Sequence, residues 1–441
     1  MSVGAIIEDL NPWWRQAEVR PAEQFPARRD LERTLLGGIL EGRSRRAVVV
    51  YGPRQTGKTV ILQQLAHDLL TQGLAAPRVV YFDFSDDRLP SEGISPRGVV
   101  DALPQRGSDE APRILLLDEI EYARNWDRFL KQAVDRTSDV YIVTSSAAAH
   151  LRHGTRESGL GRWDERRLEP LSFREFLRLH SRDRDTPETL LEKSPQLLER
   201  YMATGGFPEH IHSESSRHSR QRLREDIAER AILRDLLRSG IDVARAKDLF
   251  VYLVQQSGSV FETQKIARLL QADKRSIREW RHHLEDSCLV ISLPRRGDSP
   301  VAQMRGRQTP KMYAADSSLV FAFSTNAAPA DDPDLQGRLV ETAVYRHLRE
   351  LTETRLMYYR HRNNHEVDFV VSTQDKEVLI EVTASRSPTK KKLRRLHDVS
   401  ARLRVPNCVL IYGGLASRVE DQARLLPFHE FLLNPGSVLR G

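Results

Sequence analysis

The stretch GPRQTGKT, residues 52–59, decides the fold of the first part of this chain, because it fits the phosphate-binding pattern G-x-x-x-x-G-K-[ST]. A β-branched apolar run, AVVVY at residues 47–51, precedes it. Apolar residues at helical spacing follow it in TVILQQLAHDLL, residues 59–70. The sequence therefore predicts a strand, a glycine loop and a helix, which together form a P-loop in an α/β domain.

Each residue type in this loop has a chemical role. Gly52 and Gly57 allow a tight turn whose amide groups converge on phosphate oxygens, and the helix that begins at Lys58 directs its positive dipole end at them. We expect Lys58 to reach the β- and γ-phosphates of ATP. The Thr59 hydroxyl is predicted to bind the Mg²⁺ ion that bridges these phosphates. The rest of the predicted nucleotide-binding loop is Pro53, Arg54, Gln55 and Thr56.

Two adjacent carboxylates follow a second apolar strand in ILLLDEIE, residues 114–121. Asp118 stands at the predicted strand end, where it would hold magnesium directly or through water. Glu119, one residue further on, is the candidate general base for the attacking water. A strand that ends in Asp-Glu is a weak signal alone, but downstream of a P-loop it predicts hydrolysis of the bound nucleotide.

A further strand, VYIVT at residues 140–144, is predicted after the carboxylates and ends in Ser145 and Ser146. In P-loop ATPases with an extra strand between the glycine loop and the carboxylates, this end carries a polar sensor beside the γ-phosphate. The candidates are Thr144, Ser145 and Ser146. An Arg-rich stretch follows, and its Arg162 is our candidate for stabilising charge on the transferring phosphoryl group. The alternative for Arg162 is a solvent-exposed side chain without a catalytic role.

Composition places these motifs in a chain of several domains. The protein has 441 residues, 29% of them charged, and a mean hydropathy of −0.50, with no apolar run of membrane-spanning length. We therefore expect a cytoplasmic protein. The net charge of +7 and a pI near 9.4 permit nucleic-acid binding, although an Arg-rich proteome would give the same bias. The two cysteines, Cys288 and Cys408, are far apart in apolar segments and have no zinc-site spacing.

Several phrases occur here in the order of a known family: NPWW at 11–14, the loop, the carboxylate strand, LGRWDERRLEPLSFREFL at 160–177 and GGFPE at 205–209. They resemble the prokaryotic AAA+-related ATPases of the STAND-like branch, and the resemblance covers nearly the whole chain. It implies a helical lid whose Gly206–Pro208 turn lies near the nucleotide, and a C-terminal nuclease-like domain. One departure is Ser145-Ser146-Ala147, where the family usually has Gly-Ser-Ser. For the two tryptophans of NPWW, packing onto the core is favoured over stacking on the nucleotide base.

Residues 241–300 are predicted to form a winged helix-turn-helix, from three helical segments followed by the strand CLVISLP. In the third helix, Ile277, Trp280 and Leu284 would face the core. A DNA-recognition helix and a purely connecting or protein-binding domain are both consistent with this pattern. The candidate DNA contacts are Lys274, Arg275, Arg278 and His282.

The last domain has carboxylates spaced as in the restriction-endonuclease-like fold (PD-(D/E)xK type): Glu341 on a helix and Asp368 and Glu381 on two adjacent strands. Metal-dependent cleavage in this fold needs a lysine two residues after the last carboxylate, and here that position is Thr383. Lys376, or a lysine of the run 390–392, could substitute in space. We favour a degenerate nuclease fold that binds without cutting.

The sequence thus predicts an ATPase core at residues 1–170, a helical lid and connector at 171–240, the winged helix at 241–300 and the nuclease-like domain at 301–441. The expected function is Mg²⁺-dependent ATP hydrolysis coupled to DNA binding or remodelling, with a possible homo-oligomer. Two alternatives remain: a nucleotide-dependent switch that controls assembly or partner binding, and an ATP-regulated, metal-dependent DNA nuclease.

Overall fold

The computed structural model describes residues 2–16, 25–42, 46–90, 93–104, 111–146, 163–180, 187–211, 216–226, 241–297, 309–325, 332–361 and 366–440. The chain divides into two compact units. The first comprises Met1–Glu169 with Asp286–Cys288, and the second comprises Pro170–Glu285 with Leu289–Gly441. Among the described residues, no helix combines the length and apolar character needed to cross a membrane.

The first unit is built on a five-stranded parallel sheet with the strand order β2-β3-β4-β1-β5. Strand β4, which contains the predicted strand VYIVT, lies between β1 and β3. The carboxyl ends of parallel strands meet at one edge of a sheet, so the residues that follow β1, β3 and β4 are brought together there. The strands are β1 (Ala47–Tyr51), β2 (Val79–Asp83), β3 (Ile114–Asp118), β4 (Val140–Ser145) and β5 (Trp163–Arg167).

Helices cover both faces of this sheet, which explains why its inner strands are apolar without alternation. Val49 belongs to the core cluster that contains residues of α1, α4 and α5, whereas Val48 and Val50 belong to the cluster that contains residues of α2 and α3. Successive residues of β1 therefore fill two different cores. The helices are α1 (Val3–Leu10), α2 (Asp30–Leu40), α3 (Lys58–Thr71), α4 (Pro96–Asp101) and α5 (Trp126–Arg136).

The tryptophan pair packs on the outer strand β2, as the sequence favoured. The indole N–H groups of Trp13 and Trp14 both donate to the carbonyl of Val79, at 3.1 and 3.0 Å. Asn11 anchors the same segment, because its side-chain amide donates to the Tyr81 carbonyl at 2.8 Å and its side-chain oxygen accepts from the Tyr81 amide at 2.7 Å. The N-terminal segment is thus fixed to the sheet by side-chain hydrogen bonds to the backbone.

The second unit begins with helices α6 (Phe173–His180), α7 (Pro187–Thr204) and α8 (Ser216–Leu223). A three-stranded antiparallel sheet with the order β6-β8-β7 follows, together with three further helices. These elements are α9 (Val243–Gln255), β6 (Ser259–Val260), α10 (Thr263–Leu269), α11 (Lys274–Asp286), β7 (Val290–Leu293) and β8 (Lys311–Ala314).

Strand β8 corrects the predicted domain arrangement. The sequence assigned residues 301–441 to the nuclease-like domain, but β8, within this range, pairs with β6 and β7 in a register that sets Val290 opposite Ala314. The Gly258 amide also donates to the Met312 carbonyl at 2.7 Å. The sequence assignment failed because a segment of seventeen residues separates β8 from β7, and the apolar pattern alone does not identify a strand's partner.

The remaining elements form a six-stranded mixed sheet with the order β13-β14-β12-β11-β10-β9. Strands β9, β10 and β11 are antiparallel, whereas β11, β12 and β14 run parallel. The strands are β9 (Arg355–Arg360), β10 (Glu366–Ser372), β11 (Glu377–Thr383), β12 (Cys408–Tyr412), β13 (Arg418–Glu420) and β14 (Ala423–Pro427). The helices are α12 (Ser317–Ala322), α13 (Pro333–Leu348), α14 (Lys390–Leu403) and α15 (Phe428–Leu433).

The LEPLSF and GGFPE phrases meet in the second unit. The Leu171 amide donates to the Gly206 carbonyl at 2.6 Å, and a Cβ atom at position 206 would lie 2.6 Å from the Leu171 nitrogen, so only glycine fits there. The Phe173 amide donates to Nε2 of His347 at 3.0 Å. Burial lowers the pKa of His347, which leaves this nitrogen unprotonated and able to accept.

Candidate functional site

The glycine loop is shaped by close contact with the segment that follows β5. The Leu168 amide donates to the Tyr51 carbonyl at 2.7 Å, and a Cβ atom at position 52 would lie 2.2 Å from the Leu168 carbonyl oxygen. Gly52 is therefore required by packing as well as by the turn. Gln55 and Gly57 have positive φ angles of 64° and 91°, and α3 begins directly after Gly57.

Lys58 lies folded against its own loop. Its side chain is buried, and Nζ donates to the carbonyl oxygens of Gly52 and Pro53, both at 3.0 Å. Burial lowers the pKa of Lys58, against the opposing effect of nearby carboxylates, chiefly Glu119. The ammonium group thus stands at the loop with carbonyl partners that a bound phosphate could replace.

Asp118 is held by three hydroxyl groups at the end of β3. Tyr81 donates to Oδ2 at 3.0 Å, Thr144 donates to Oδ1, and Thr59 also hydrogen-bonds to this carboxylate. Burial raises the pKa of Asp118, although these hydrogen bonds oppose the rise. The structure therefore brings together Thr59 and Asp118, the two residues proposed from sequence to bind magnesium.

Glu119 adopts a left-handed backbone conformation with φ of 50°, and its amide donates to the Thr144 hydroxyl at 3.0 Å. The Ser146 hydroxyl donates to its carboxylate, at 2.9 Å to Oε1 and 3.2 Å to Oε2, and Arg54 lies 4.0 Å from Oε2. Burial acts to raise the pKa of Glu119, but the Lys58 charge and several hydrogen bonds hold it below its ordinary value. Glu119 is thus ionised, as a general base requires.

Glu121 was not predicted as a site residue. Burial, together with the Glu119 charge, raises its pKa to about 8. At neutral pH it is therefore protonated, and the Ser146 amide donates to its Oε1 at 2.8 Å. The spacing of the two glutamates in DEIE was the available signal, but the sequence does not show that both side chains are buried.

Arg29 is a second missed residue. Although only 7% exposed, it donates to the Thr56 carbonyl at 2.9 Å and to the Glu169 carbonyl at 2.9 Å. It therefore ties the glycine loop to the end of the LEP segment. Ser145, a predicted sensor, is buried at the end of β4 in register with Tyr51. Arg162 lies outside the described residues.

The faces of α11 agree with the sequence. Ile277, Trp280 and Leu284 are buried. The four candidate DNA contacts are all exposed: Lys274, Arg275, Arg278 and His282.

Two of the three C-terminal carboxylates predicted from sequence, Glu341 and Asp368, contact a lysine that the sequence did not indicate. Nζ of Lys311, on β8, lies 3.3 Å from Oε1 of Glu341, 3.3 Å from Oδ1 of Asp368 and 2.9 Å from Oε1 of Glu366. Glu381 instead lies 3.6 Å from Nζ of Lys392. In the part of the chain that the structure describes, no group of three His, Cys, Asp or Glu side chains is arranged to hold a metal ion.

The proposed substitute lysines differ in position. Nζ of Lys376 donates to the Leu439 carbonyl, so its ammonium group is engaged by the backbone near the C-terminus. Lys392 lies beside Glu381, as the sequence hypothesis allowed, and its Nζ also donates to the Val382 carbonyl. Burial together with the neighbouring Asp368 raises the pKa of Glu381 to about 8.

Comparison with protein families divides the chain into three segments. Residues 44–177 match a family model described as an AAA domain. Residues 195–330 and 336–431 match two domains of unknown function, DUF8612 and DUF4143. The first segment, with its glycine loop and its five-stranded parallel sheet, is an α/β domain of the P-loop AAA type.

The curated relatives are described as uncharacterized proteins. One from Methanocaldococcus jannaschii is 25% identical over 78% of this chain and 76% of its own length. One from Haemophilus influenzae is 27% identical over 51% of this chain and 55% of its own length. Another from M. jannaschii is 33% identical, over 34% of this chain and 31% of its own length.

Solved structures with some similarity include the replication initiator DnaA bound to AMPPCP and single-stranded DNA, at 15% identity over 60% of this chain and 91% of that one, with a TM-score of 0.30. Cdc6p from Pyrobaculum aerophilum is 13% identical over 68% of this chain and 95% of that one, with a TM-score of 0.29.

The buried acid Glu121 makes stability depend on pH. The pKa of Glu121 is higher in the folded than in the unfolded chain, so between about pH 4.5 and pH 8 the folded state binds one more proton than the unfolded state. The free energy of unfolding therefore falls as the pH rises through this window. Glu121→Gln removes this loss. In urea titrations, we expect the difference in the free energy of unfolding between Glu121→Gln and wild type to shift in favour of the variant by about 1 kcal/mol or more between pH 6 and pH 9.

Glu165→Gln, at an exposed position of the same unit, is the matched control and should follow the wild-type curve. A constant difference between Glu121→Gln and wild type across this pH range would contradict the assignment.

Proposed function

We propose that this protein hydrolyses ATP with the help of Mg²⁺ and couples hydrolysis to DNA binding or remodelling. The observation that carries the proposal is the convergence of Lys58, Asp118 and Glu119 at one edge of the sheet. Thr144 links Asp118 to Glu119, and the charge of Lys58 acts on Glu119. These residues provide the cation, the magnesium ligand and the base that phosphoryl transfer to water requires.

Each side chain has a defined task in this proposal. Lys58 exchanges the carbonyls of Gly52 and Pro53 for phosphate oxygens when ATP binds. Thr59 and Asp118 supply the oxygen ligands that Mg²⁺ prefers, and their mutual hydrogen bond supports this pairing. A bound Mg²⁺ ion would neutralise part of the phosphate charge. The Ser146 hydroxyl donates hydrogen bonds that orient the Glu119 carboxylate. Glu119 then accepts a proton from the attacking water.

The second unit supports the coupling to DNA. The element order α9-β6-α10-α11-β7-β8, with β8 in the middle of its small sheet, is the order expected of a winged helix-turn-helix. Its third helix, α11, exposes Lys274, Arg275, Arg278 and His282, in a chain whose net charge is +7. Phosphate contacts from such a face would give salt-dependent binding.

The DNA-binding face predicts the behaviour of a double variant. Arg275→Ala with Arg278→Ala removes two candidate phosphate contacts, so duplex DNA binding should weaken about tenfold at moderate salt, and the slope of log K against log salt should fall by about 2. Fluorescence anisotropy over a salt series measures both values. DNA should also accelerate ATP turnover by wild type.

The matched control is Arg386→Ala with Arg394→Ala, which removes the same charge from exposed positions near and on α14 and should bind like wild type. Equal weakening in both double variants would show only a net-charge effect. Wild-type turnover that ignores single-stranded, duplex and branched DNA, without salt-sensitive binding, would contradict the coupling.

A second candidate function is a slow nucleotide-dependent switch. Its support is the network in which Lys58 is bound by loop carbonyls while Ser146 and Glu121 hold Glu119, since ATP must replace part of these contacts. A switch requires that ATP changes the assembly state. Mass measured by light scattering should then change with ATP in wild type but not in Lys58→Ala. Identical masses in all four samples would contradict the switch.

The third alternative, a metal-dependent nuclease, has mixed support. The arrangement of α13, β10 and β11 agrees with a restriction-endonuclease-like domain, and Lys392 lies beside Glu381. The side chain of Lys311 opposes the alternative, because it lies between two of the three carboxylates that would bind metal.

A further inference from the structure

Lys311 is an almost fully buried lysine within a group of acidic side chains. It is 3% exposed, and its Nζ has three carboxylate partners within 3.3 Å, from Glu341, Glu366 and Asp368. The ring of Tyr358 lies on another side, with its centroid 5.7 Å from Nζ. Three elements besides β8 thus contribute to one cation site: α13, β10 and β9.

The surroundings of the three carboxylates suit an ammonium ion. Distances of 2.9 to 3.3 Å place the ammonium group within hydrogen-bonding or ion-pairing reach of all three carboxylates. The Tyr313 hydroxyl, two residues further along β8, donates to Oε1 of Glu341 at 2.7 Å. The Val382 amide donates to Oδ2 of Asp368 at 3.0 Å. The carboxylates of Glu341 and Asp368 therefore each accept from a second protein donor besides Lys311.

Charge balance leads to the same result. The acids would leave a net negative charge in a buried place without the ammonium group, which is strongly unfavourable. Burial, together with the neighbouring Asp368, raises the pKa of Glu341 to about 7, although Lys311 acts in the opposite direction. The surrounding acids in turn raise the pKa of Lys311 despite its burial. When Glu341 is protonated, two carboxylate charges remain, and they are matched by Lys311 and by Arg360, whose Nε lies 3.7 Å from Oε2 of Glu366.

We propose that the ammonium group of Lys311 is the resident cation of this carboxylate group, in the position that a divalent metal would need. The C-terminal domain then works without metal and does not cut phosphodiesters by the metal-dependent route. Its acids instead fasten β8 of the small sheet to α13 and β10. This inference is independent of ATP hydrolysis in the first unit.

Binding of Mn²⁺ to nucleotide-free protein, followed by electron paramagnetic resonance, tests the proposal. Wild type and Asp368→Asn should bind Mn²⁺ equally weakly. Lys311→Met, which keeps the length but not the charge, should melt at a lower temperature and gain one Mn²⁺ site at least tenfold tighter than any in wild type. Mn²⁺ should raise its melting temperature, and the added Asp368→Asn should abolish this gain.

Lys265→Met, at an exposed position of the same unit, is the control and should behave as wild type in both measurements. The proposal is overturned if wild type binds Mn²⁺ at a site that Asp368→Asn removes, or if wild type nicks plasmid DNA with Mn²⁺ and Asp368→Asn does not. A Lys311→Met protein with unchanged melting and metal binding would also overturn it. If Lys311→Met does not fold, the comparison of wild type with Asp368→Asn decides alone.

Discussion

The nucleotide site depends on the two hydrogen bonds that the Thr144 hydroxyl makes at the end of β3. The hydroxyl donates to the Asp118 carboxylate and accepts from the Glu119 amide, so a residue of β4 fixes two successive residues at the end of β3. This contact is possible because β4 lies next to β3 in the sheet. It holds Glu119 in a left-handed conformation that a non-glycine residue adopts only at a cost, and such strain is frequent at functional sites. The strand order is therefore also the condition for the chemistry.

The LEPLSF segment, residues 168–173, begins in the first unit and continues in the second, and each part is held by contacts within its own unit. In the first unit, Leu168 contacts Gly52 closely and the Glu169 carbonyl accepts from Arg29. In the second unit, the Pro170 carbonyl accepts from Arg346, and Leu171 pairs with Gly206. Each half of this short segment is thus fixed through its backbone within its own unit.

Much of the nucleotide site could be predicted because its signals are local. The loop, the Asp118-Glu119 pair and the strand of Thr144 are each recognisable within a few residues. Glu121, Tyr81 and Arg29 were missed because their importance comes from burial and from partners far away in sequence, such as Asp118 for Tyr81. No local pattern distinguishes a buried glutamate from an exposed one.

The C-terminal carboxylates show the same limit more clearly. Glu341, Asp368 and Glu381 follow the spacing of a known fold, so the sequence located them. Lys311 precedes the nearest of them by thirty residues and reaches the group only because β8 joins a different sheet. Glu366 shares its strand face with Asp368 by simple alternation, so that residue could have been found.

The most direct test of the account is single-turnover ATP hydrolysis by wild type and Glu119→Gln, with nucleotide binding measured on the same samples. If Glu119 accepts the proton of the attacking water, the variant should bind ATP about as well as wild type and hydrolyse it at least ~100-fold more slowly. The exposed variant Glu165→Gln should hydrolyse at the wild-type rate. Hydrolysis by Glu119→Gln at the wild-type rate, or a wild-type protein that binds ATP without hydrolysing it, would contradict the account.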